Sequence, residues 1–298
     1  MSLTRWRDTG AAFDFDGHRV FIHPHGEGDE ALLLLHGFPT ASWDYEGLWP
    51  GLCKRFGHVI AFDLLGLGFS DKPYPHRYGV AEQADLAERL LAARGVRRVH
   101  LLAHNYGVCI AQELLARAAE RRAAGTAATA AQPLSAVFLN GGLFPEASRP
   151  RRAQRLLRSP LGPLLARLIG PRFFARAFLP LFGAQTRPGL IELHDYWTLI
   201  ALSQGQRVLR DLLGYVDERR QQRRRWSGAL LDAGVPMRFI CGAQDPVAGP
   251  AMAARYRELV PSPDVVMIDA AGHYPHVEAP DRCLRAFVAF HDAIGGSS

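Results

Sequence analysis

Short apolar runs alternate with amphipathic segments along the first half of the chain. The runs that predict strands are ALLLLHG (31–37), HVIAFD (58–63), RVHLLAH (98–104) and SAVFLNG (135–141). Between them, residues 43–55, 80–94 and 107–122 carry the apolar spacing typical of helices. Strands separated by helices of this length indicate crossover connections, and these favour a mostly parallel sheet.

The same alternation returns near the end of the chain. Residues 236–242 and 264–270 predict two further strands, and residues 250–259 and 281–294 predict helices. At 14–23, Asp16-Gly17 between apolar residues predicts an antiparallel hairpin. These elements together predict an α/β fold built on a mostly parallel, doubly wound sheet of about eight strands.

A segment of different character, residues 142–227, interrupts this pattern. It lacks strand alternation and is rich in Arg, Leu and Pro, so we expect a helical cap inserted into a core formed by 1–141 and 228–298. The net charge of the chain is +6, yet 145–226 alone holds 16 Arg against six acidic residues. The cap is therefore basic and the core mildly acidic. The Ala-rich stretch 123–132 predicts a flexible surface loop.

Composition narrows the class of protein. The chain has 298 residues, 48% hydrophobic and 21% charged, which is typical of a globular protein and excludes disorder, collagen and coiled coil. No apolar run is long enough for a membrane span, and the first residues do not resemble a secretory signal, so we expect a cytoplasmic protein. The cysteines have no paired spacing and are expected to be buried thiols: Cys53, Cys109, Cys241 and Cys283.

The strand at 98–104 runs through Asn105 directly into a helix. Ala103 and Gly107 are small residues on either side of position 105, which is the pattern of a nucleophile elbow. Asp245 follows the strand at 236–242, and His273 follows the strand at 264–270. The order of nucleophile position, acid and histidine is the chain order of α/β-hydrolases.

These residues lie within longer motifs that extend over essentially the whole chain. The motifs are LLHGFPTASWDY (34–45), IAFDLLGLGFSDKPYPHRY (60–78), LLAHNYGVCIAQELL (101–115), LNGGLFPEASRP (139–150), RRRWSGAL (223–230), GAQDPV (242–247) and GHYPHVEAP (272–280). With them the chain resembles the α/β-hydrolases of the epoxide hydrolase and haloalkane dehalogenase branch. Within that branch it is most similar to the mesoderm-specific transcript family and its bacterial relatives.

The resemblance implies a reaction in two steps. A carboxylate at position 105 attacks an electrophilic carbon, and His273, oriented by Asp245, then activates water to hydrolyse the alkyl-enzyme ester. The backbone N–H groups of Phe38 and Tyr106 would form the oxyanion hole. For an epoxide substrate, cap tyrosines would donate hydrogen bonds to the opening oxygen; Tyr196 and Tyr215 are the candidates, with packing within the cap as the alternative for each.

Position 105 departs from this pattern, because the chain has Asn where that branch has Asp. An amide is uncharged and its nitrogen lone pair is delocalised, so Asn105 should not complete the first step. A deliberate Asp-to-Asn substitution, a natural change that abolished or redirected activity, and other causes are all compatible with the sequence. One consequence follows in each case: water activated by His273 should meet the Asn105 amide carbon and slowly convert it to Asp.

Other polar and aromatic residues near these motifs have alternative roles. His36, Gly37 and Pro39 are expected to shape the oxyanion loop and to contribute to substrate binding. His104 and His276 are expected to be structural, and Asn140 to be a hydrogen-bonding residue of a turn. Trp197 and Trp226 are candidate pocket walls. Tyr106 and Phe38 stand where a haloalkane dehalogenase would have Trp and often Asn, which argues against halide release.

The expected partner is a small lipophilic substrate. The apolar run 159–183 is expected to roof the substrate pocket, with contact to an anionic membrane surface as the alternative. The basic run 217–226 is interpreted as a solvated helix rather than a nucleic-acid site, and the glycine spacings match no phosphate loop. We expect no nucleotide, no metal and no other cofactor. Epoxide hydrolysis is the leading functional hypothesis. Hydrolysis of an ester, a lactone or a carbon–halogen bond, and ligand binding without catalysis, are the two alternatives.

Overall fold

Eight strands form one sheet, in agreement with the sequence. The computed structural model describes residues 1–149 and 151–295. The strands are β1 (Ala11–Phe15), β2 (His18–Gly26), β3 (Glu30–Leu35), β4 (His58–Phe62), β5 (Arg98–His104), β6 (Gln132–Leu139), β7 (Met237–Gly242) and β8 (Asp264–Ile268). Their order is β1-β2-β4-β3-β5-β6-β7-β8. β1 and β2 pair in antiparallel fashion, β2 is antiparallel to β4, and β3 to β8 are parallel to one another.

Helices cover both faces of this sheet, so the side chains of the parallel strands are buried on both sides. Leu33 and Leu35 of β3 belong to one apolar core, whereas Leu32 and Leu34 of the same strand belong to the other. All four leucines are fully buried. A parallel strand with apolar residues on both faces is a continuous apolar run in the sequence, and this run is what predicted a strand at ALLLLHG.

The predicted core helices are also present. The helices outside the cap are α1 (Leu3–Asp8), α2 (Trp49–Arg55), α3 (Val80–Ala93) and α4 (Tyr106–Ala123); those of the cap region are α5 (Arg152–Leu157), α6 (Gly162–Leu168), α7 (Pro171–Phe178), α8 (Leu190–Ala201), α9 (Leu209–Leu212), α10 (Tyr215–Gln221) and α11 (Arg223–Leu231); and the last are α12 (Pro250–Leu259), α13 (Pro275–Glu278) and α14 (Pro280–Gly295). Among the described residues no helix is both long and apolar enough to cross a membrane.

The inserted region is helical, but its predicted end at 227 falls inside α11. This helix packs on the core helix α4. The Trp226 Nε1–H donates to the Glu113 carboxylate on α4 at 2.8 Å, and Arg225 forms an ion pair with the same carboxylate. α11 is therefore anchored to the core helix α4, and the boundary at 227 stays a prediction.

Three local predictions need correction or detail. The hairpin turn at Asp16-Gly17 is present, with both residues at positive φ, as a tight two-residue turn requires. The predicted loop at 123–132 contains a 3-10 turn at Ala127–Thr129, and β6 already begins at Gln132. All four cysteines are free thiols, but Cys53 is only partly buried.

Candidate active site

Position 105 lies at the sharp turn between β5 and α4. Asn105 has φ 49° and ψ −101°, a strained conformation for a residue with a side chain. A Cβ at Gly107 would lie 2.2 Å from the Leu35 carbonyl oxygen, so only glycine permits this close approach of α4 to β3. The small residue recognised in the sequence is thus a packing requirement, and the turn raises Asn105 above the carboxyl edge of the sheet.

Three side chains form a continuous hydrogen-bonded chain at this edge. The Asn105 Nδ2 atom lies 2.7 Å from His273 Nε2, and His273 Nδ1 lies 2.8 Å from Asp245 Oδ2. All three residues are buried. They come from three different loops at the ends of parallel strands, which is the arrangement that the sequence predicted.

The hydrogen bonds fix the protonation of His273. An amide nitrogen can only donate, so His273 Nε2 must accept and carry a lone pair, and Nδ1–H must donate to Asp245. The backbone carbonyl of His273 accepts a hydrogen bond from His104 Nε2 at 2.9 Å, which supports the expected structural role of His104. The His273 ring is therefore held between Asp245 and residue 105, with Nε2 directed at residue 105.

The environment of Asp245 keeps its carboxyl group ionised. Burial alone would raise its pKa, but the neighbouring His273, the Val247 N–H and the Asn140 amide together hold the pKa of Asp245 below its usual value. Asn140 Nδ2 donates to Asp245 Oδ2 at 2.6 Å, and Asn140 Oδ1 accepts from the Gly242 N–H at 2.7 Å. The asparagine expected in a turn thus orients the Asp245 carboxylate.

Backbone and side-chain donors converge on the Asn105 carbonyl oxygen. The Phe38 N–H donates to Asn105 Oδ1 at 3.2 Å, and the Tyr215 hydroxyl donates to the same atom at 3.4 Å. Tyr106 is the first residue of α4, so its N–H has no acceptor within the helix. The Phe38 N–H and the Tyr215 hydroxyl thus contact Oδ1, and the Tyr106 N–H begins the neighbouring helix.

Asn105 and His273 line two adjacent pockets, here together called the cavity. The first, here called the apolar lobe, is lined by Phe38, Pro39, Leu157, Ile169, Phe173, Phe174, Ala177, Phe178, Leu181, Trp197, Ile200, Leu209 and Val247, with Arg151, Ala153 and Gln154. The second, here called the polar lobe, is lined by Gly142, Pro145, Ser148, Gln154, Tyr215, Val216, Arg219, Arg220, Val247 and Ala248. The cavity thus offers both a lipophilic and a polar compartment to a ligand at residue 105.

Comparison with known proteins agrees with this geometry. Residues 30–280 match the family model described as alpha/beta hydrolase fold. The chain belongs to the α/β-hydrolase fold family. It is 41% identical over 298 residues to the mesoderm-specific transcript protein of Mus musculus, a match that covers 97% of this chain and 88% of that protein.

Two solved structures show the same fold as this α/β-hydrolase. The haloalkane dehalogenase DbeA from Bradyrhizobium elkani superposes with a TM-score of 0.79 at 22% identity, covering 97% of this chain and 99% of that one. The epoxide hydrolase CorEH gives a TM-score of 0.75 at 19% identity, covering 96% and 99%. At these identities the likeness establishes the fold and not the substrate.

The structure separates the predicted substrate-binding residues of the α/β-hydrolase into two groups. Pro39, Trp197 and Tyr215 line the cavity, as expected. Tyr196 does not, because its ring packs between Trp43 and Phe178 behind the apolar lobe. The expectation that Tyr196 holds an epoxide oxygen is therefore wrong.

Three other predicted residues also lie outside the cavity. Trp226 packs on α4 rather than forming a pocket wall. His36 is fully buried and braces the loop, because Nδ1 contacts the Gly37 carbonyl at 2.9 Å and Nε2 accepts the Leu64 N–H at 2.9 Å. A Cβ at Gly37 would lie 2.7 Å from Asn105 Cβ, so this glycine permits close approach. His36 and Gly37 shape the oxyanion loop and do not contact the cavity.

Two residues that sequence reasoning missed are important here. The Glu278 carboxylate accepts the N–H groups of Gly272 and Tyr274 at 2.8 and 2.9 Å and so fixes the loop that carries His273. Its place in the GHYPHVEAP motif was the available signal. Arg219 lies in the run interpreted as a solvated helix, yet only 7% of it is exposed. The neighbouring arginines gave no sign of its burial.

The apolar run at 159–183 divides between two environments. Phe174 and Phe178 on α7 face the apolar lobe, as predicted for a roof. Leu161, at the start of α6, and Leu164 and Leu168 within α6 are 64%, 58% and 72% exposed. Contact of these exposed leucines with a membrane surface stays an untested alternative.

One further group of buried side chains has the spacing of a metal site. Asp44, His104 and His276 offer ligand atoms that all lie within 4.8 Å of one another. His104 Nδ1, Asp44 Oδ1 and both ring nitrogens of His276 have no hydrogen-bond partner among the described residues. Two histidines and one carboxylate suit Zn²⁺, but the group lies behind His273 and lines neither lobe. The expectation of a metal-free protein stays a prediction.

Proposed function

We propose that this protein is a hydrolase of lipophilic electrophiles, with opening of an epoxide to a vicinal diol as the leading reaction. The observation that carries the proposal is the hydrogen-bonded chain from residue 105 through His273 to Asp245 at the floor of an apolar lobe. A carboxylate at position 105 would occupy the place of the Asn105 amide. With Asn105 itself, we propose that turnover is impaired.

The first step requires a nucleophile and an acid. An Asp carboxylate at 105 would attack the epoxide carbon and form an alkyl-enzyme ester, while the Tyr215 hydroxyl donates to the opening oxygen. Burial raises the pKa of Tyr215 above its usual value, with Arg219 partly opposing this effect, so the phenol stays protonated at neutral pH. Its hydroxyl already points at residue 105 from the cap.

The second step uses the base and the oxyanion hole. His273 Nε2 takes a proton from water, which attacks the ester carbonyl, and the Phe38 and Tyr106 N–H groups stabilise the oxygen as it gains charge. Removing one such donor typically costs about 3 kcal/mol of transition-state stabilisation. Asp245 stabilises the imidazolium that forms, which is consistent with its lowered pKa.

Carbon–halogen hydrolysis has less support. A leaving halide needs N–H donors from side chains facing the cavity, and the ring of Tyr106 instead stacks on Tyr215 with centroids 4.5 Å apart. The hydroxyl of Tyr106 is buried without a partner in the described part of the chain. Ester or lactone hydrolysis would use the same triad and stays an alternative to epoxide opening.

A second candidate is non-catalytic ligand binding. The Asn105 Nδ2–H occupies the His273 lone pair that would activate water, which favours a resting cavity over a working one. In this case ligands would bind in the two lobes without reacting, even after a carboxylate is introduced at 105.

Product analysis tests the proposal. The chain and its Asn105→Asp variant would be incubated with neutral epoxides, esters and haloalkanes, and products identified by mass. We expect diol from the variant alone. Ester or haloalkane products in place of diol would move the function to the corresponding alternative, and absence of any product from both proteins would favour the binding protein.

A further inference from the structure

Arg219 is a buried cation that forms no ion pair with any described carboxylate. The side chain is 7% exposed, and its Nε has no hydrogen-bond partner among the described residues. The guanidinium contacts the Ser148 hydroxyl at 3.5 Å, interacts with the buried Cys109 thiol and lies over the Tyr215 ring at 5.1 Å, and all three groups are neutral. Glu218, its neighbour along α10, instead accepts the Val80 N–H at 3.0 Å. Burying an unpaired charge is costly, so this arrangement needs an explanation.

The surroundings of Arg219 place it in the site and hold it there. It lines the polar lobe together with Asn105 and His273, and no Asp or Glu among the described residues lines either lobe. A Cβ at Gly142 would lie 1.8 Å from a terminal nitrogen of the guanidinium. The missing side chain of Gly142 therefore forms the cradle in which the guanidinium rests.

We propose that Arg219 binds an anionic group of the substrate, so that the substrate is an amphiphilic carboxylate or similar monoanion. This inference rests on the proposed function and adds the substrate class. The aliphatic part of the substrate would fill the apolar lobe, and the anionic group of the substrate would reach Arg219 in the polar lobe. The reactive carbon would then lie at the junction of the lobes, beside residue 105. A planar guanidinium with free N–H groups is well suited to pair with a carboxylate.

Equilibrium binding tests this inference without any turnover, because Asn105 leaves the ligand unreacted. The probes are octanoate, its neutral analogue octanamide, and acetate, which has the charge without the chain. Affinity would be measured by calorimetry and by fluorescence of Trp197, which lines the apolar lobe. We expect octanoate to bind at least about tenfold more tightly than octanamide, and acetate weakly, since both lobes contribute.

Variants assign that preference to one side chain. Arg219→Gln should remove the preference for octanoate and leave octanamide affinity unchanged, whereas Arg219→Lys should retain part of it. Arg224→Gln is the matched control, since it removes the same charge from an exposed position on α11. If Arg219→Gln does not fold, equal binding of octanoate and octanamide to the unaltered chain still overturns the inference, and Arg219→Lys and Arg220→Gln assign any preference between the two arginines that line the polar lobe.

Equal binding of octanoate and octanamide, or a preference that survives Arg219→Gln, would overturn the inference. Acetate binding as tightly as octanoate would also overturn it, because Arg219 would then hold a free anion and not a substrate group. Failure here is distinguishable from failure of the proposed function. If octanoate is not preferred but Asn105→Asp forms diol, only the proposed substrate class is wrong. If octanoate is preferred but Asn105→Asp forms no product, only the proposed reaction is wrong.

Discussion

The amide nitrogen of Asn105 donates a hydrogen bond to Nε2 of His273 over 2.7 Å. The donor is a leaving group for hydrolysis of the amide, and the acceptor is the base that would activate water. On the other side of the same amide, Oδ1 accepts the Phe38 N–H. The Asn105 amide is therefore bound as the site would bind an ester carbonyl. Once His273 has taken a proton from water, it can donate that proton to the Asn105 nitrogen.

This relationship predicts slow conversion of Asn105 to Asp. Water would attack the amide carbon, Oδ1 would hold the negative charge, and His273 would return the proton to ammonia as it leaves. Peptide mass mapping of an aged sample should show a gain of about 1 Da at residue 105. Conversion should be at least about 100-fold slower in His273→Gln, which lacks the base.

Asn140 serves as the internal comparison for this experiment. Asn105 and Asn140 are the two asparagines of the chain, and Asn140 precedes Gly141, so intact mass alone does not identify the site. His273→Gln should leave any change at Asn140 unaffected. An unchanged residue 105 after prolonged warming, or equal conversion with and without His273, would remove the prediction.

Tyr215 should be required for epoxide opening, since its hydroxyl lies 3.4 Å from Asn105 Oδ1. In the Asn105→Asp background, Tyr215→Phe should lower kcat by about 100-fold, the usual contribution of a positioned general acid. Tyr196→Phe removes the same hydroxyl from a buried cap tyrosine outside the cavity and should leave kcat unchanged. Equal effects of the two substitutions, measured by steady-state kinetics, would show that Tyr215 acts only through cap packing.

His23 should make stability depend on pH. Its ring stacks on Trp6 with centroids 3.8 Å apart, and burial lowers the pKa of His23 to about 4. Unfolded histidine takes up a proton below about pH 6.5, whereas His23 in the folded protein does so only near pH 4. Between these two pH values the unfolded state binds more protons, so stability is full above about pH 6.5 and falls as the pH is lowered toward 4. The free energy of unfolding should fall by about 1.4 kcal/mol per pH unit from this group.

Denaturant unfolding at pH 7 and pH 4.5 checks this. The stability difference between the chain and His23→Gln should shrink by about 2 kcal/mol on acidification. The exposed His25 provides the matched control, since His25→Gln alters the same residue type on the same strand. Parallel pH profiles for the chain and His23→Gln would exclude a role for His23.

Much of the site was predictable because its residues sit at the ends of strands. The carboxyl ends of parallel strands meet at one edge, so recognising the strands before Asn105, Asp245 and His273 was enough to bring these residues together. The backbone packing that needs Gly107 was visible in the same way, as a small residue at a fixed spacing.

The cap was less predictable for physical reasons. A helix buried on several sides has no clear apolar stripe, so nothing in the sequence distinguished Tyr215, which faces the cavity, from Tyr196, which packs behind it. The basic run at 217–226 was predicted to be a solvated helix, because arginines in a run are usually solvated. The burial of Arg219 depends on the cradle at Gly142, which is far away in the chain. Trp226 was misplaced because its helix is anchored to the core helix α4.

The central claim is that residue 105 is the position of covalent attack, and a trapped adduct tests it most directly. The double variant Asn105→Asp with His273→Gln would be incubated with a medium-chain epoxide, because loss of the base should block hydrolysis of the ester. Intact mass should rise by one epoxide, and the adduct should map to residue 105, with no adduct in His273→Gln alone. Diol formation by Asn105→Asp without any adduct in the double variant, or an adduct on another residue, would contradict the claim.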